Sequence, residues 1–487
     1  MDVLYQPLSR AETTTIHDTA LRILEEIGVA VRLEQAISVL RSHGARVDDG
    51  RAYIPPSLIE KALAVTPRSF LMAGRDAKND LHIGGGHVYL GTGGAALTVL
   101  DLDSGAARPG TIRDVAALAR LVDALENIHF YLRPCAPQDL PPETADLNQF
   151  YAALTNTTKH VMAGVSSPDA VRGVIEMAAM IAGGRECLQQ RPFISFVTSC
   201  VISPLQMGSG MTHVLLEVAR NHIPVALSSA PMAGSTSPAT LAGTLAQAHA
   251  EQLSAIVLTQ LAYPGAPVLY GAIPSLTDFR TMSYLGGGVE CGMMNAAAAQ
   301  MARFIGVPNY NSGGLTEAKT PDAQAGYEKA FSICLTAMAG SSFIHHAAGM
   351  LEAMRAVAYE QFVIDNEIIG MALRLLRGIE INNETLAFEV IRECARAGNF
   401  VAAPHTVKFM RQQYFRPTVA DRQSRESWAL AGGPDARERA RRMAKEILRT
   451  HRPVGIGDVT DREIRRRFDI RLPACDAATV GKERALR

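Results

Sequence analysis

The sequence predicts an α/β protein: a TIM (β/α)8 barrel with an α+β N-terminal region and a helical C-terminal extension. Three observations lead there. First, strand-like apolar runs recur at residues 128–133, 160–165, 193–199, 224–229, 267–272, 307–311 and 342–347, with helical patterns between them. Their spacing is too long for hairpins and right for crossovers. Second, many runs are apolar at nearly every position, as parallel strands covered on both faces should be. Third, one more strand from 88–100 brings the number to about eight, which closes a barrel. An open doubly wound sheet shares the local pattern. The barrel is favoured because the units repeat without a break and no GxGxxG opens the first. Gly84-Gly85-Gly86 has no following helix, and Gly286-Gly287-Gly288 has no Lys-Ser/Thr after it, so neither reads as a phosphate loop.

The elements follow in order. Ser9-Arg10-Ala11-Glu12 is a capping box opening a helix with Ile16, Ala20, Ile23, Leu24 and Ile27 on one face, stopped by Gly28. A short helix over 33–43 stops at Gly44, and Asp49-Gly50 forms a tight hairpin between 46–47 and 52–54. Pro55-Pro56 starts another helix, and glycine-punctuated short strands fill 70–102. These pieces make residues 1–110 an α+β region packed on the barrel. Thr111 to Asp114 caps the first helix of the barrel core, which runs over 111–377. Its helices are expected at 139–156, 167–182, 208–221, 237–262, 287–306, 322–339 and 352–373. Residues 378–487 form the extension, with polar helices at 383–397, 437–450 and 461–468. The last two are rich in Arg (Arg437, Arg439, Arg441, Arg442, Arg462, Arg465, Arg466, Arg467), which reads either as a solvated face or as a docking surface for an acidic partner. Trp428 reads as an anchor for the tail.

At 487 residues, 47% apolar and 20% charged, the chain can bury a large core and is not of a disordered type. Lys plus Arg and Asp plus Glu number 48 each, so no net field recruits nucleic acid or an anionic membrane. Apolar stretches break before the ~20 residues a membrane span needs. The N-terminus shows no basic segment followed by an apolar core, so a cytoplasmic protein is expected. The seven cysteines (Cys135, Cys187, Cys200, Cys291, Cys334, Cys394, Cys475) include no CxxC and fit reduced thiols. Cys200 and Cys291 could line a site, but a free Cys is more often a small core residue.

Ionisable and polar groups gather in and after the strands between 306 and 365: Glu317, Lys319, Gln324, Tyr327, Glu328, His345, His346, Glu352, Glu360 and Asp365. In a barrel such positions face the ligand. Three kinds of chemistry lack their residues. His345-His346 has no HxH, HExxH or Cys cluster to complete a metal site, and adjacent strand residues point to opposite faces. Lys159 sits at a strand start and Lys319 in a loop, so neither is placed as a Schiff-base lysine. No GxSxG elbow is present. What remains is a mouth dotted with Tyr89, Tyr270, Tyr310, Tyr327 and Tyr359 and several carboxylates, a lining that suits a small organic cation. Ordinary packing is the competing reading for each Tyr. Glu317 reads equally as a satisfied loop carboxylate, and His346 as a core imidazole.

Asp278-Phe279-Arg280-Thr281-Met282, the run GGGVECGMMNAAAAQMARFIGVPNYNSGGLTEAKTPDAQAGYEKA and the run GSSFIHHAAGMLEAMRAVAYEQFVIDNEIIGM closely resemble the trimethylamine methyltransferase (MttB) family. YLGTGGAALTVLD with Arg108-Pro109, AGNFVAAPHT around His405 and YFRPTVADRQSRESW look like it too, so the likeness spans nearly the whole chain. The resemblance implies a TIM barrel that moves a methyl group from a methylamine to the cobalt of a corrinoid. The corrinoid (cobalamin) is carried by a separate small protein docking at the barrel mouth. The archetypal trimethylamine enzymes contain pyrrolysine, whereas this chain uses only the twenty standard residues. It looks like the pyrrolysine-lacking branch, whose known members demethylate quaternary amines such as glycine betaine.

A quaternary ammonium leaves as a neutral tertiary amine, so the enzyme needs no protein nucleophile; holding the cation with one methyl toward the acceptor supplies much of the acceleration. Trimethylamine or another methylamine, methyl transfer to another acceptor such as folate, corrinoid-free C–N cleavage and an inactive betaine-binding barrel are the alternatives. The resemblance covers Glu317, Gln324 and His346 closely; His345, Tyr89, Asn156 and Tyr310 complete the candidate lining. A betaine carboxylate would need donors, for which His346, His345, Gln324, Asn156 and Arg280 are candidates. The helical extension fits a homo-oligomer.

Overall fold

Eight short parallel strands alternate with eight helices in this computed structural model, which describes residues 3–473. The strands are β1 (Tyr89–Leu90), β2 (Phe130–Leu132), β3 (His160–Ala163), β4 (Ile194–Thr198), β5 (Val225–Ser229), β6 (Val268–Ala272), β7 (Tyr310–Ser312) and β8 (Phe343–His345). Each is followed by a helix: α1 (Ile112–Ala124), α2 (Pro142–Leu154), α3 (Pro168–Ala182), α4 (Ser209–Arg220), α5 (Leu241–Ala262), α6 (Val289–Phe304), α7 (Ala323–Met338) and α8 (Tyr359–Leu376). Strands β2 to β6 pair in sequence as one parallel sheet, and β7, β8 and β1 as another. Isolated parallel bridges, Gly91 with Phe130 and Tyr270 with Asn309, join the two sheets edge to edge. The outcome is a ring in a mixed α/β fold.

The strands carry two apolar faces because both are covered. Phe130, Leu132, Met162, Ala226, Leu269, Tyr310 and Phe343 point into the ring and pack with Met72, Leu81 and Ile83. Those last three come from the hairpin Phe70–Met72 with Leu81–Ile83, which closes the N-terminal end. Phe130 and Phe343 stack across the interior at 3.6 Å. Gly91 makes room for this, since a Cβ there would sit 2.4 Å from the Phe130 ring. The outer faces share a second buried cluster with the helices, running from Ile16 to Ile464. No described helix is long and apolar enough to cross a membrane.

Pieces of the N-terminal region serve both ends of the ring. Val29–Val31 pairs with the Arg46–Asp48/Arg51–Tyr53 hairpin and also, in parallel, with Gln206–Met207 after β4. Thr98–Leu100 pairs with Ala107–Pro109 and with Ala356–Ala358, roofing the C-terminal end. Two expectations are corrected. Ile27 is exposed, because the first helix widens to a π turn over Ile23–Ile27 before Gly28 and rotates it off the inward face. The helix expected at 352–373 starts only at Tyr359. Glu352, Ala353 and Met354 take left-handed φ of 51°, 51° and 75°, and Ala356–Ala358 is a strand.

The Arg-rich tail turns back onto the rest of the chain. Arg437 and Arg441 reach the buried Glu360 at 3.0 and 3.5 Å, Arg439 donates to Val419 O at 2.6 Å, and Arg467 pairs with Glu176. Only pairs such as Arg442–Glu438 and Arg466–Glu463 lie on an exposed face, so most of these cations are latches rather than a surface for an acidic partner. The predicted helix over 383–397 breaks at Ala387, whose φ is 50°. Trp428 donates to Pro434 O at 2.9 Å and anchors its own turn. Cys475 lies outside the described residues.

Lys329 and Asp365, both fully buried, tie α7 to α8 at 3.2 Å. The ammonium also donates to Gly314 O and to Met350 O, and the carboxylate accepts from Gly349 N at 2.7 Å and Gln361 Nε2 at 2.8 Å. The pair therefore grips the loops after β7 and β8. Lys329→Met leaves Asp365 charged in the core, and an expected loss of about 3–5 kcal/mol follows. Urea unfolding checks this; Lys329→Met with Asp365→Asn should recover much of the loss.

Candidate functional site

The chemistry-bearing side chains meet at the C-terminal end of the ring, where β8 stops. It stops because His346 adopts φ 64°, a left-handed turn that His tolerates better than most residues. In a continuing strand, His345 and His346 would face opposite ways. The turn brings both rings to one side, with centroids 3.8 Å apart. His345 also stacks on Tyr310 at 3.9 Å and 13°. The loop after β1 presses its backbone against them. A Cβ on Gly93 would lie 3.3 Å from each imidazole, and one on Gly94 only 2.2 Å from Met350 Sδ. Only glycine fits there.

Hydrogen bonds fix the two rings differently. His345 Nδ1 donates to Asn311 O at 2.7 Å. A carbonyl only accepts, so the neutral ring carries its proton on Nδ1 and presents Nε2 as a bare acceptor. His346 Nδ1 lies 2.9 Å from Ser312 Oγ, which can donate or accept. When Ser312 donates, His346 Nε2–H is left as a free donor. Burial pulls His345 down to about 3 and His346 well below the usual histidine range. Both are neutral at pH 7, which matters because an imidazolium would repel a cation.

Glu317 and Gln324 organise the loop after β7. Glu317 accepts from Gly286 N at 2.7 Å and from Gly287 N at 3.0 and 3.2 Å, holding the glycine run before α6. Glu328 accepts from Thr316 Oγ1, Glu317 N and Gln324 Nε2. Burial raises the Glu317 carboxyl, the Gly286 amide opposes the rise, and the Glu328 charge adds to it. The structure thus fills both Glu317 oxygens with backbone amides, the loop-carboxylate reading.

Other candidates fall elsewhere. Tyr89 opens β1 at the N-terminal end, where its hydroxyl accepts from His82 N at 3.1 Å. Asn156 lies between α2 and β3, at that same end, accepting from Arg120 and donating to Ala152 O. The sequence places both near strands but does not say at which end. Arg280 is exposed and paired with Asp278 in a hairpin turn. Lys159 caps the end of α1 by donating to Val122 O, Leu125 O and Ile128 O; burial lowers it to about 7. Cys200 and Cys291 are buried with thiols pushed up to about 12, as core cysteines. Among the described residues no group of three or more His, Cys, Asp or Glu could hold a metal ion. Sequence reasoning missed Ser312 and Lys329.

Buried imidazoles give a pH dependence. His129 and His160 sit at about 4 and His249 and His345 at about 3, in each case first through burial. The unfolded chain protonates them near 6.5, so stability holds above that pH and falls as pH drops toward 4. The expected slope is about 1.4 kcal/mol per pH unit for each imidazole. Urea unfolding at pH 7 and pH 5 measures it, and equal stability at both would contradict the assignment.

Residues 2–471 match a family model described as "Trimethylamine methyltransferase (MTTB)". A trimethylamine methyltransferase MttB of Desulfitobacterium hafniense is 39% identical over 447 residues, covering 91% of this chain and 90% of that protein. A glycine betaine methyltransferase of the same species is 34% identical over 462 residues, 94% and 96% of the two chains. MttB of Methanosarcina barkeri is 33% identical over 449 residues, 90% of each. The solved monomethylamine methyltransferase (MtmB) of M. barkeri superposes with a TM-score of 0.53 at 12% identity, covering 92% of this chain and 89% of its own. It shares the fold.

Proposed function

Because the chain belongs to the trimethylamine methyltransferase family and is a methyltransferase, we propose that it moves a methyl group from a quaternary amine of the glycine betaine type to the reduced cobalt of a corrinoid on a separate protein. The ring of parallel strands is read as a TIM barrel, its C-terminal end as the mouth where that partner docks. One observation carries the substrate class: His345, His346 and Tyr310 form a buried wall that burial keeps uncharged. Near-full-length similarity to a glycine betaine methyltransferase supports it, as does a chain written in the twenty standard residues. The higher identity to a trimethylamine methyltransferase supports the second reading, trimethylamine itself. The free described cysteines fit a cytoplasmic setting.

The corrinoid supplies the nucleophile when its carrier docks. This chain's residues have the simpler task of holding a cation with one methyl toward the mouth and keeping water away. Proximity and orientation then provide much of the rate. The departing group is a neutral tertiary amine, so no proton moves. His346 Nε2–H, rather than His345, is the donor for a substrate carboxylate. Glu317 and Gln324 act through the loop geometry they hold, and Tyr89 and Asn156 have no part in binding.

The assay follows Co(I) absorbance of a reduced corrinoid carrier with glycine betaine, other betaines and trimethylamine, and identifies the amine released. Decay with a betaine and formation of its tertiary amine is expected; decay with trimethylamine alone selects the second reading, and none with any substrate overturns both. His346→Asn keeps a residue that tolerates the left-handed turn. It should raise KM for glycine betaine roughly tenfold by removing one charge-assisted hydrogen bond, with little change for a quaternary amine lacking a carboxylate. Glu317→Gln should lower thermal stability by about 1–3 kcal/mol, with any KM change alike for both substrate types.

A further inference from the structure

A cavity of about 290 Å3, apolar over most of its lining, lies at the end of the ring opposite the histidines, between the starts of β7 and β8 and the loop after the Leu81–Ile83 strand. Its lining holds two guanidinium groups, Arg68 and Arg303, and no carboxylate among the described residues. Arg303 projects from the last turn of α6 and donates to Ala339 O at 2.9 Å. Neither Arg68 nor Arg303 has an acidic neighbour in this lining among the described residues. Both arginines are exposed and keep their charge at neutral pH, so two positive charges border this space with no carboxylate paired to them among the described residues.

The backbone is shaped around them. Arg68 lies over Gly306, where a Cβ would stand 3.5 Å from Cζ, and Arg303 over Gly340, where it would stand 3.5 Å from Nη1. Both glycines have left-handed φ, of 71° and 73°. Gly84, Gly85 and Gly86 follow with φ of 92°, 63° and 81°. Their turn closes through His87 N to Gly84 O at 3.3 Å, while the Gly85 and Gly86 amides meet no backbone acceptor among the described residues. Successive turn amides of this kind form a concave cradle for an anion. The sequence excluded a phosphate loop here because no helix follows. The guanidinium pair, one from just before the Phe70–Met72 strand and one from the end of α6, supplies what that helix would have supplied.

We propose that this cavity binds a small phosphate-bearing anion. The lining offers donors and positive charge on several sides, with Ser342 on one wall. A phosphate dianion matches two guanidinium forks in charge and in acceptor number, which a single carboxylate does not. The site is separate from the methyl-transfer mouth, so its fate and that of the proposed function are independent.

Isothermal titration at fixed ionic strength tests it, with inorganic phosphate and glycerol 3-phosphate as probes against the full chain and chloride as the balancing salt. Saturable one-site binding of either probe is expected, and the tighter of the two identifies the source as free phosphate or a phosphate monoester. Arg68→Gln removes a side chain that faces the cavity without supporting the fold and should weaken binding at least roughly tenfold. Arg303→Gln should do the same, with circular dichroism confirming that it folds despite losing the bond to Ala339. The proposal is overturned when neither probe binds, or when both variants bind as the unsubstituted chain does.

Discussion

The buried ion pair between Lys329 and Asp365 is the contact on which the C-terminal end of the ring depends. Burial acts against both charges: it lowers the lysine and raises the aspartate, and each partner offsets that cost in the other. All three ammonium protons have acceptors, in Asp365, Gly314 O and Met350 O. A pair this complete can exist without water, and removing one member strands the other. Its reach explains its place. Gly314 follows β7, and Gly349 and Met350 follow β8, so one pair sets the two loops that flank the histidines.

From that clamp the site follows by close packing. Met350 stands against Gly94, and Gly93 lies against both imidazoles, so the position of one loop defines the space left for the next. The left-handed turn at His346 costs backbone strain, of order 1–3 kcal/mol for a residue so placed. It is repaid by stacking two rings and Tyr310 into one uncharged surface. An acid–base enzyme would arrange the same residues to titrate near neutrality. Here burial removes that ability, which suits a reaction whose leaving group departs without a proton.

Much of the fold was legible. Seven apolar runs fall on β2 to β8 within a few residues, and the extra strand comes from 88–100 as expected, because parallel strands need apolar residues on both faces. The capping boxes at Ser9 and Thr111 are present as read. The site was legible only in part. Glu317, Gln324, His345, His346 and Tyr310 do lie around the C-terminal loops or the ring interior. Tyr89 packs against the ring interior from its N-terminal end and Asn156 lies at that same end, since a residue beside a strand can stand at either end of it and β1 is only two residues long. The Arg-rich tail was ambiguous because charge spacing does not say whether a helix turns its cations to water or to Glu360.

The sequence alone determined the alternation of strands and helices, the caps, the family likeness and the absence of the usual nucleophile and metal motifs. These depend on local periodicity and residue type. Tertiary structure decided which ends of the strands share a site, that two adjacent histidines face the same way, and that Glu317 spends its charge on backbone amides. It also brought Arg68 and Arg303 together across nearly half of the chain. Such outcomes rest on φ at single residues and on contacts between distant segments, and no local pattern encodes either.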